Sequence, residues 1–312
     1  MRARSPLALV GVLVGAGMLA LTASAGSPPV PVPVPVKAGP RNEVAPAAGG
    51  DYFAWAKSRR GRPNVYDVWA QRGTETPFKV NSRGTTGWTG GFGGSRLVYQ
   101  QVRGGRQSDI RFFDVQTRRR SQPSGVNTKR WEWAPTISGD WLLFGRGVTS
   151  GSSTQQIILR NLATGEQRVL DALRNSRAYV EPGQVNGNYA VWTRCSPSSD
   201  CDVFRYDIAT RKKARMPRTG QVLSGPSVAV SGTTYYGRTS HGGCGAGAEL
   251  VKTSVDGATV VLYSFPETQD VGHTYAVVSP VRPPVQTPRI YFERVTCSGQ
   301  RYDIYSIDDI GG

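Results

Sequence analysis

The sequence predicts an all-β chain folded as a six-bladed β-propeller of four-stranded antiparallel blades. Two landmarks that recur along the chain, and the turns between them, predict it. The first is an apolar run ending in an aromatic: Tyr52-Phe53-Ala54-Trp55, Leu97-Val98-Tyr99, Leu142-Leu143-Phe144, Ala190-Val191-Trp192, Thr234-Tyr235-Tyr236 and Ile290-Tyr291-Phe292. Its last aromatics are 44, 45, 48, 44 and 56 residues apart. The second is a polar residue opening another apolar run, at Asp67, Asp109, Gln156, Asp202, Glu249 and Asp303, with steps of 42, 47, 46, 47 and 54. Two landmarks on nearly one period mark a repeat architecture.

The runs are rich in Val, Ile, Tyr, Phe and Trp and show no helical spacing, so each unit reads as β. Turn pairs at Gly139-Asp140, Asn186-Gly187 and Ser231-Gly232 precede the aromatic runs, as hairpin turns do. Each unit therefore holds strands A to D, with the aromatic run as B and the acid-led run as C. Four strands in a unit of this length make a propeller blade, and the units must stack radially to bury both faces.

The chain begins with features of export. Arg2 and Arg4 precede an apolar run from Leu7 to Leu21, and Ala23-Ser24-Ala25 has the small-x-small form of a signal-peptidase site. Residues 1–25 read as a signal peptide, with a retained anchor as the alternative. The run is shorter than the roughly 20 residues of a spanning helix, and no second apolar run follows, so the mature chain is expected to have no transmembrane span. Residues 26–42 are Pro/Val-rich, and residues 43–312 hold the propeller.

The tract Pro-Val-Pro-Val-Pro-Val-Pro-Val at 29–36 has two readings. It is either an extended linker or the missing outer strand of blade 6, whose own residues end after strand C. Proline is tolerated on such an edge and blocks pairing with other sheets.

Lys and Arg number 38 against 22 Asp and Glu, for a formal net charge of +16. Removal of the leader takes two arginines and leaves +14. Such a balance points to anionic surroundings, or else reflects an arginine-rich surface with no partner. Four cysteines fit an oxidising compartment and a secreted, extracytoplasmic protein. None has the spacing of a zinc or Cys-x-x-Cys site.

The segments Ser138-Gly139-Asp140-Trp141-Leu142-Leu143-Phe144 and Arg160-Asn161-Leu162-Ala163-Thr164-Gly165-Glu166, with Asp207-Ile208-Ala209-Thr210 repeating the second, resemble the propeller repeats of the TolB-like family. The resemblance covers roughly residues 43–310. It implies the fold, and it implies binding of proteins or peptides at the propeller face or channel. These motifs are turn and strand chemistry, so they carry over no functional residue.

In a propeller, B–C and D–A loops share one face, while A–B and C–D turns share the other. All four cysteines fall in B–C loops. The fold pairs Cys195 with Cys201 within one loop, and Cys244 with Cys297 across neighbouring blades. The same face gathers Arg59, Arg60, Arg62, Arg103, Arg106, Lys129 and Arg130 with Trp88, Trp131 and Trp133. Guanidinium groups hold phosphate or carboxylate in bidentate fashion, and indoles stack on sugars, which would suit an anionic polymer. The alternative is that the tryptophans wedge between blades and the arginines are solvated. Arg118-Arg119-Arg120 and Arg211-Lys212-Lys213 fall in C–D turns on the other face and read as a solvated rim.

Signals for catalysis are thin. The two histidines, His241 and His273, are assigned to loops of blades 5 and 6, without metal-ligand spacing. There is no Gly-x-Ser-x-Gly elbow, no phosphate-cradling loop, no nucleotide fingerprint and no Ser-x-Asp-x-Gly box. Glu132 and Glu181 are the best-placed acids for a glycosidase, yet nothing pairs them in sequence. The expectation is a monomeric, non-catalytic binding propeller without metal or cofactor. Its partner would be a protein or an anionic envelope polymer, with no specific nucleic acid. A carbohydrate-active hydrolase or lyase at the channel mouth is the alternative, and converging acids, or an acid beside His273, would favour it.

Overall fold

The structure, a computed structural model, describes residues 31–105, 107–148, 154–174, 177–198, 200–218, 221–240, 247–278, 288–298 and 301–309. Their regular structure is entirely β. The first strand, Val34–Lys37 (β1), stands apart from the blade that follows it. Blade 1 comprises Glu43–Gly49 (β2), Tyr52–Arg59 (β3), Arg62–Arg72 (β4) and Phe78–Lys79 (β5). Blade 2 comprises Thr85–Gly93 (β6), Arg96–Arg103 (β7), Gln107–Asp114 (β8) and Arg120–Ser121 (β9). Blade 3 comprises Trp131–Ser138 (β10), Trp141–Gly147 (β11), Gln155–Asn161 (β12) and Gln167–Leu173 (β13). Blade 4 comprises Tyr179–Asn186 (β14), Tyr189–Cys195 (β15), Cys201–Asp207 (β16) and Lys213–Arg215 (β17). Blade 5 comprises Val222–Val228 (β18), Thr234–Thr239 (β19), Ala248–Thr253 (β20) and Thr259–Phe265 (β21). Gln269–Val278 (β22), Pro288–Thr296 (β23) and Arg301–Asp308 (β24) form the inner three strands of blade 6.

Each sheet has four antiparallel strands, and the sixth has the order β1-β24-β23-β22. Blade 6 is thus completed by the chain's N-terminal strand. Of the Pro/Val tract, Val34 to Lys37 make this edge, with Val34 opposite Ser306 and Pro35 opposite Tyr305. Lys37 then ties blade 6 to blade 1. Its Nζ donates to Gln71 Oε1 at 2.7 Å and lies 4.3 Å from the centre of the Trp55 ring.

The cores lie between blades. Leu97 and Tyr99 of blade 2 pack with Ala54 and Val68 of blade 1, and Leu143 and Ile157 of blade 3 pack with Val180 and Trp192 of blade 4. A fully buried side chain of this size contributes roughly 1.5–3 kcal/mol, and no single blade can provide that burial.

The C–D turns explain the TolB-like motif. Asp114, Asn161 and Asp207 each accept backbone N–H groups from two and three residues ahead, 2.7–3.1 Å away. The residue after the threonine then takes the left-handed conformation: Arg118 (φ 59°), Gly165 (φ 78°) and Arg211 (φ 60°). The basic rim partly covers aromatics, since Arg118 lies over Phe78 and Lys213 over Trp192 and Phe204.

Candidate functional site at the channel mouth

All six inner strands are interrupted by a register shift. A bulge at the same place in every blade turns the backbone toward the channel. Equivalent positions can be counted from the register. One, on strand A, is Val44, Trp88, Trp133, Glu181 and Ser224 in blades 1–5, each opposite the residue that follows the B-strand aromatic, and Val271 in blade 6, opposite Arg294 just before the register shift. Two residues further on stand Pro46, Gly90, Pro135, Gly183, Pro226 and His273, and all six line one cavity of about 930 Å³. Proline and glycine suit a bulge. His273 alone brings a titratable side chain to that ring, and it lies within β22 rather than in a loop, because the bulge accommodates it inside the strand.

The B-strand position is broken in the same blade. Trp55, Tyr99, Phe144, Trp192 and Tyr236 occupy it in blades 1–5, but the pairing of Val271 with Arg294 puts Glu293 there in blade 6. The aromatic Phe292 belongs one residue earlier, opposite Thr274. The hydrophobic pattern had hidden this one-residue offset.

The two departures meet. His273 Nδ1 is 3.3 Å from Glu293 Oε2, and Nε2 is 3.0 Å from Glu181 Oε1. Glu293 is buried, its side chain only 4% exposed, whereas Glu181 (37%) and His273 (51%) open onto the cavity. The Ala45 N–H donates to Glu293 Oε1 at 2.7 Å, and the His273 N–H donates to Oε2 at 3.3 Å. Ala45 is held at φ 51°, in the left-handed region that a non-glycine residue adopts only when its surroundings impose it. Glycine is required at 272, because a Cβ there would collide with the Glu293 carboxylate.

The charges are mutually supporting. Glu181, with Glu293 adding to it, holds the His273 imidazole well above its ordinary 6.5 against the opposing effect of burial. Burial would raise the Glu181 carboxyl, but the adjacent imidazolium outweighs it and lowers the carboxyl below its ordinary value. In the charged form both ring nitrogens donate, one to each carboxylate.

Opposite this charged wall stands an aromatic one. Trp88, Trp133, Trp131 and Tyr66, from blades 1–3, line the same cavity, and Tyr179 and Tyr302 line it from blades 4 and 6, the blades of the charged cluster. The Trp133 indole lies flat on Gly145, where any side chain would displace it, and the Trp88 and Tyr66 rings are 5.7 Å apart. At the floor, Gln184 links three blades. Its Nε2 donates to Ala276 O at 2.8 Å, and its Oε1 accepts from Ala276 N and Val228 N at 3.1 and 3.2 Å. Beside it Tyr275 is buried, and burial pushes its hydroxyl up to about 12.

Of the residues singled out from sequence, Trp88, Trp131 and Trp133 are brought together here, half-buried instead of fully wedged between blades. The basic residues do not line the cavity. Arg59 is engaged by Asp67 at 2.6 Å and by the Thr85 carbonyl. Arg60, Lys129 and Arg130 are exposed on loops of this face, Arg62 and Arg103 are exposed at the ends of β4 and β7, and Arg106 lies outside the described residues. Glu132 points into blade 3, buried against Arg146 at 3.0 Å, as Glu43 is paired with Lys57 in blade 1 at 2.6 Å. Glu181 reaches the cavity, but its partner is His273, which bridges it to Glu293, rather than Glu132. Cys195 and Cys201 form a disulfide. Cys297 is also disulfide-bonded, while Cys244 and His241 lie outside the described residues. Glu293 escaped sequence reasoning because Phe292 completes the aromatic run, and only the strand register puts a carboxylate where five blades carry an aromatic. Among the described residues no cluster of His, Cys, Asp and Glu is arranged to hold a metal ion.

No protein-family model matches the chain, and no curated protein sequence does. Solved structures match its fold. A putative TolB from Agrobacterium tumefaciens superposes with a TM-score of 0.55 at 12% identity, covering 86% of this chain and 91% of that one. TolB from Acinetobacter baumannii gives 0.52 at 15% identity over 84% of this chain. This chain spans 65% of its length. An oligogalacturonate lyase from Vibrio parahaemolyticus gives 0.51 at 10%, over 86% and 90%. The chain therefore has the TolB-like six-bladed propeller fold, and the likeness at such identities is one of fold alone.

Proposed function

We propose that the protein is an exported binding propeller that takes part of its ligand into the channel mouth. The ligand would be a segment of a protein or of an envelope polymer. The observation that carries this reading is a single cavity with an aromatic wall on one side and the Glu181–His273–Glu293 cluster on the other. Its size is that of a small-molecule site. Exposed Arg60, Arg62, Arg103, Lys129 and Arg130 surround the entrance loops and would engage anionic portions of the ligand outside the cavity. Export is supported by the leader-like residues 1–25 and by the Cys195–Cys201 bond.

The chemistry of the cluster favours holding over turnover. A general acid needs a carboxyl raised toward neutrality, whereas the Glu181 carboxyl is lowered by its imidazolium partner. A general base needs a free acceptor, and both His273 nitrogens face carboxylates. A second reading, a glycan-cleaving enzyme, has one specific observation behind it: two glutamates and a histidine converge where a glycosidic bond could lie. Proteins of this fold include oligogalacturonate lyases.

One experiment separates the two readings. The chain lacking residues 1–25 is incubated with isolated cell envelope and with a panel of glycans, and both capture and product formation are followed. Saturable capture without products, reduced at least tenfold by Trp133→Ala, supports binding. Products that vanish with Glu181→Gln would replace binding by catalysis.

A further inference from the structure

We infer that the group held in the cavity is cationic, the ammonium of an amino sugar within a glycan chain; this rests on the binding reading. The carrying observation is a reversal of sign. The protein bears +16 overall, yet the only formally charged residue types among the lining residues are Glu181, Glu293 and His273. Two carboxylates against one imidazole leave the cavity negative whether or not the ring carries its second proton. Among the described residues no lysine or arginine lines it.

Two guanidinium groups on the B strands beside the cavity are committed elsewhere. Arg294, next in sequence to Glu293, lies over the Tyr305 ring and 3.8 Å from Asp303. Arg146 is bound to Glu132 and to the Val126 carbonyl.

One Glu181 oxygen, Oε1, receives His273. The partly exposed carboxylate keeps a second oxygen for a donor from the ligand. Across the cavity the indole and phenol faces present the negative side of their quadrupoles, which attracts a cation and also covers the C–H face of a sugar ring. A lysine side chain would satisfy the carboxylate but would leave most of a 930 Å³ cavity and its broad aromatic wall uncovered. Linked pyranose rings cover that wall, and an amine on the ring reaches the glutamate.

The test is calorimetric titration of the mature chain, at one fixed physiological salt concentration, with five tetramers: β-1,4-linked glucosamine, its N-acetylated form, cellotetraose, oligogalacturonate and tetralysine. The expected result is saturable binding of the glucosamine tetramer, with the acetylated and glucose tetramers at least tenfold weaker. Glu181→Gln should remove that difference. Equal binding of the acetylated or glucose tetramer overturns the cationic assignment and leaves the binding reading standing. Tightest binding of oligogalacturonate overturns it as well. Tetralysine matching the glucosamine tetramer overturns the glycan assignment in favour of a peptide ammonium. Binding of no tetramer overturns the inference, while capture on whole envelope judges the binding reading separately. The comparison of probes on the unaltered protein does not depend on any variant folding.

Discussion

The two walls of the channel mouth are built from the same positions of one repeat, and their chemistry is opposite. Where blades 2 and 3 place Trp88 and Trp133, blade 4 places Glu181. Where three blades place proline at the bulge and two place glycine, blade 6 places His273. Where five blades bury an aromatic, blade 6 buries Glu293. The aromatic wall continues what the repeat does everywhere, covering the inner ends of strands with large rings. The charged wall requires dedicated support: a backbone N–H from blade 1, a glycine at 272 and a carboxylate contributed across the ring from blade 4. Departure from the repeat, rather than residue type alone, marks where a fold-preserving pattern was set aside for a site.

The largest test of this contrast removes the buried carboxylate. Glu293→Ala leaves the Ala45 N–H and one face of His273 without a partner, and should cost about 3 kcal/mol in urea unfolding. Trp133→Ala on the opposite wall should reduce ligand capture with a smaller loss of stability. Equal stability losses at the two sites would erase the distinction between a supported cluster and a covering wall.

The Cys195–Cys201 bond closes a short loop beside the junction of the walls, where the Tyr179 hydroxyl lies 3.7 Å from Cys201 Sγ. Replacing both cysteines with serine should lower stability by about 2 kcal/mol, the closure entropy of so short a loop. Its effect on ligand capture, through Tyr179, should be visible in the same titration.

A smaller effect depends on pH. Because the folded pKa of His273 is raised above its ordinary 6.5, the cluster's contribution is fully present below pH 6.5 and is lost as pH rises through the raised value. Glu181, lowered from 4.5, contributes above pH 4.5 and loses its contribution as pH falls through its own lowered value. The stability gap between the natural protein and His273→Gln should therefore be wide between those limits and should narrow in alkali. A gap that stays constant as the medium becomes alkaline would show that the imidazole is not held charged by its two glutamates.

The smallest expected change lies on the other face. Arg211 occupies a left-handed position that glycine adopts without strain. Arg211→Gly should raise stability by somewhat less than about 1 kcal/mol and leave ligand capture untouched, which makes it a control for the claim that this face is turn chemistry.

Much of this was readable along the chain. The period of the aromatic runs and of the acid-led runs returned six blades, and the Asx turns at Asp114, Asn161 and Asp207 returned the hairpin ends, because such signals operate between neighbours in sequence. Trp88, Trp131 and Trp133 read as D–A loop residues in sequence, whereas the structure sets them on the inner strands β6 and β10, where they line the cavity. The Pro/Val tract kept two readings, since its partner strand stands about 270 residues away; the pairing of Val34 with Ser306 decides for an edge. Glu132 and Glu181 looked alike in sequence, each at the entrance to a blade. Arg146 claims the first within its own sheet, while the second has no such neighbour and reaches the channel.

What the sequence by itself determined is therefore the local and periodic part: strands, turns, repeat number, and which face each loop joins. Only the tertiary structure decided the site. His273, Glu181 and Glu293 come from two blades and are oriented by an N–H from a third, so no spacing along the chain encodes their meeting. It follows from closing the ring, which brings Ala45 of the first blade within 2.7 Å of Glu293 of the last, and from a one-residue bulge that turns a strand position into a channel-facing one. Closure and register are collective properties of all six sheets. The charge in the cavity is the product of that geometry, opposite in sign to the chain that builds it.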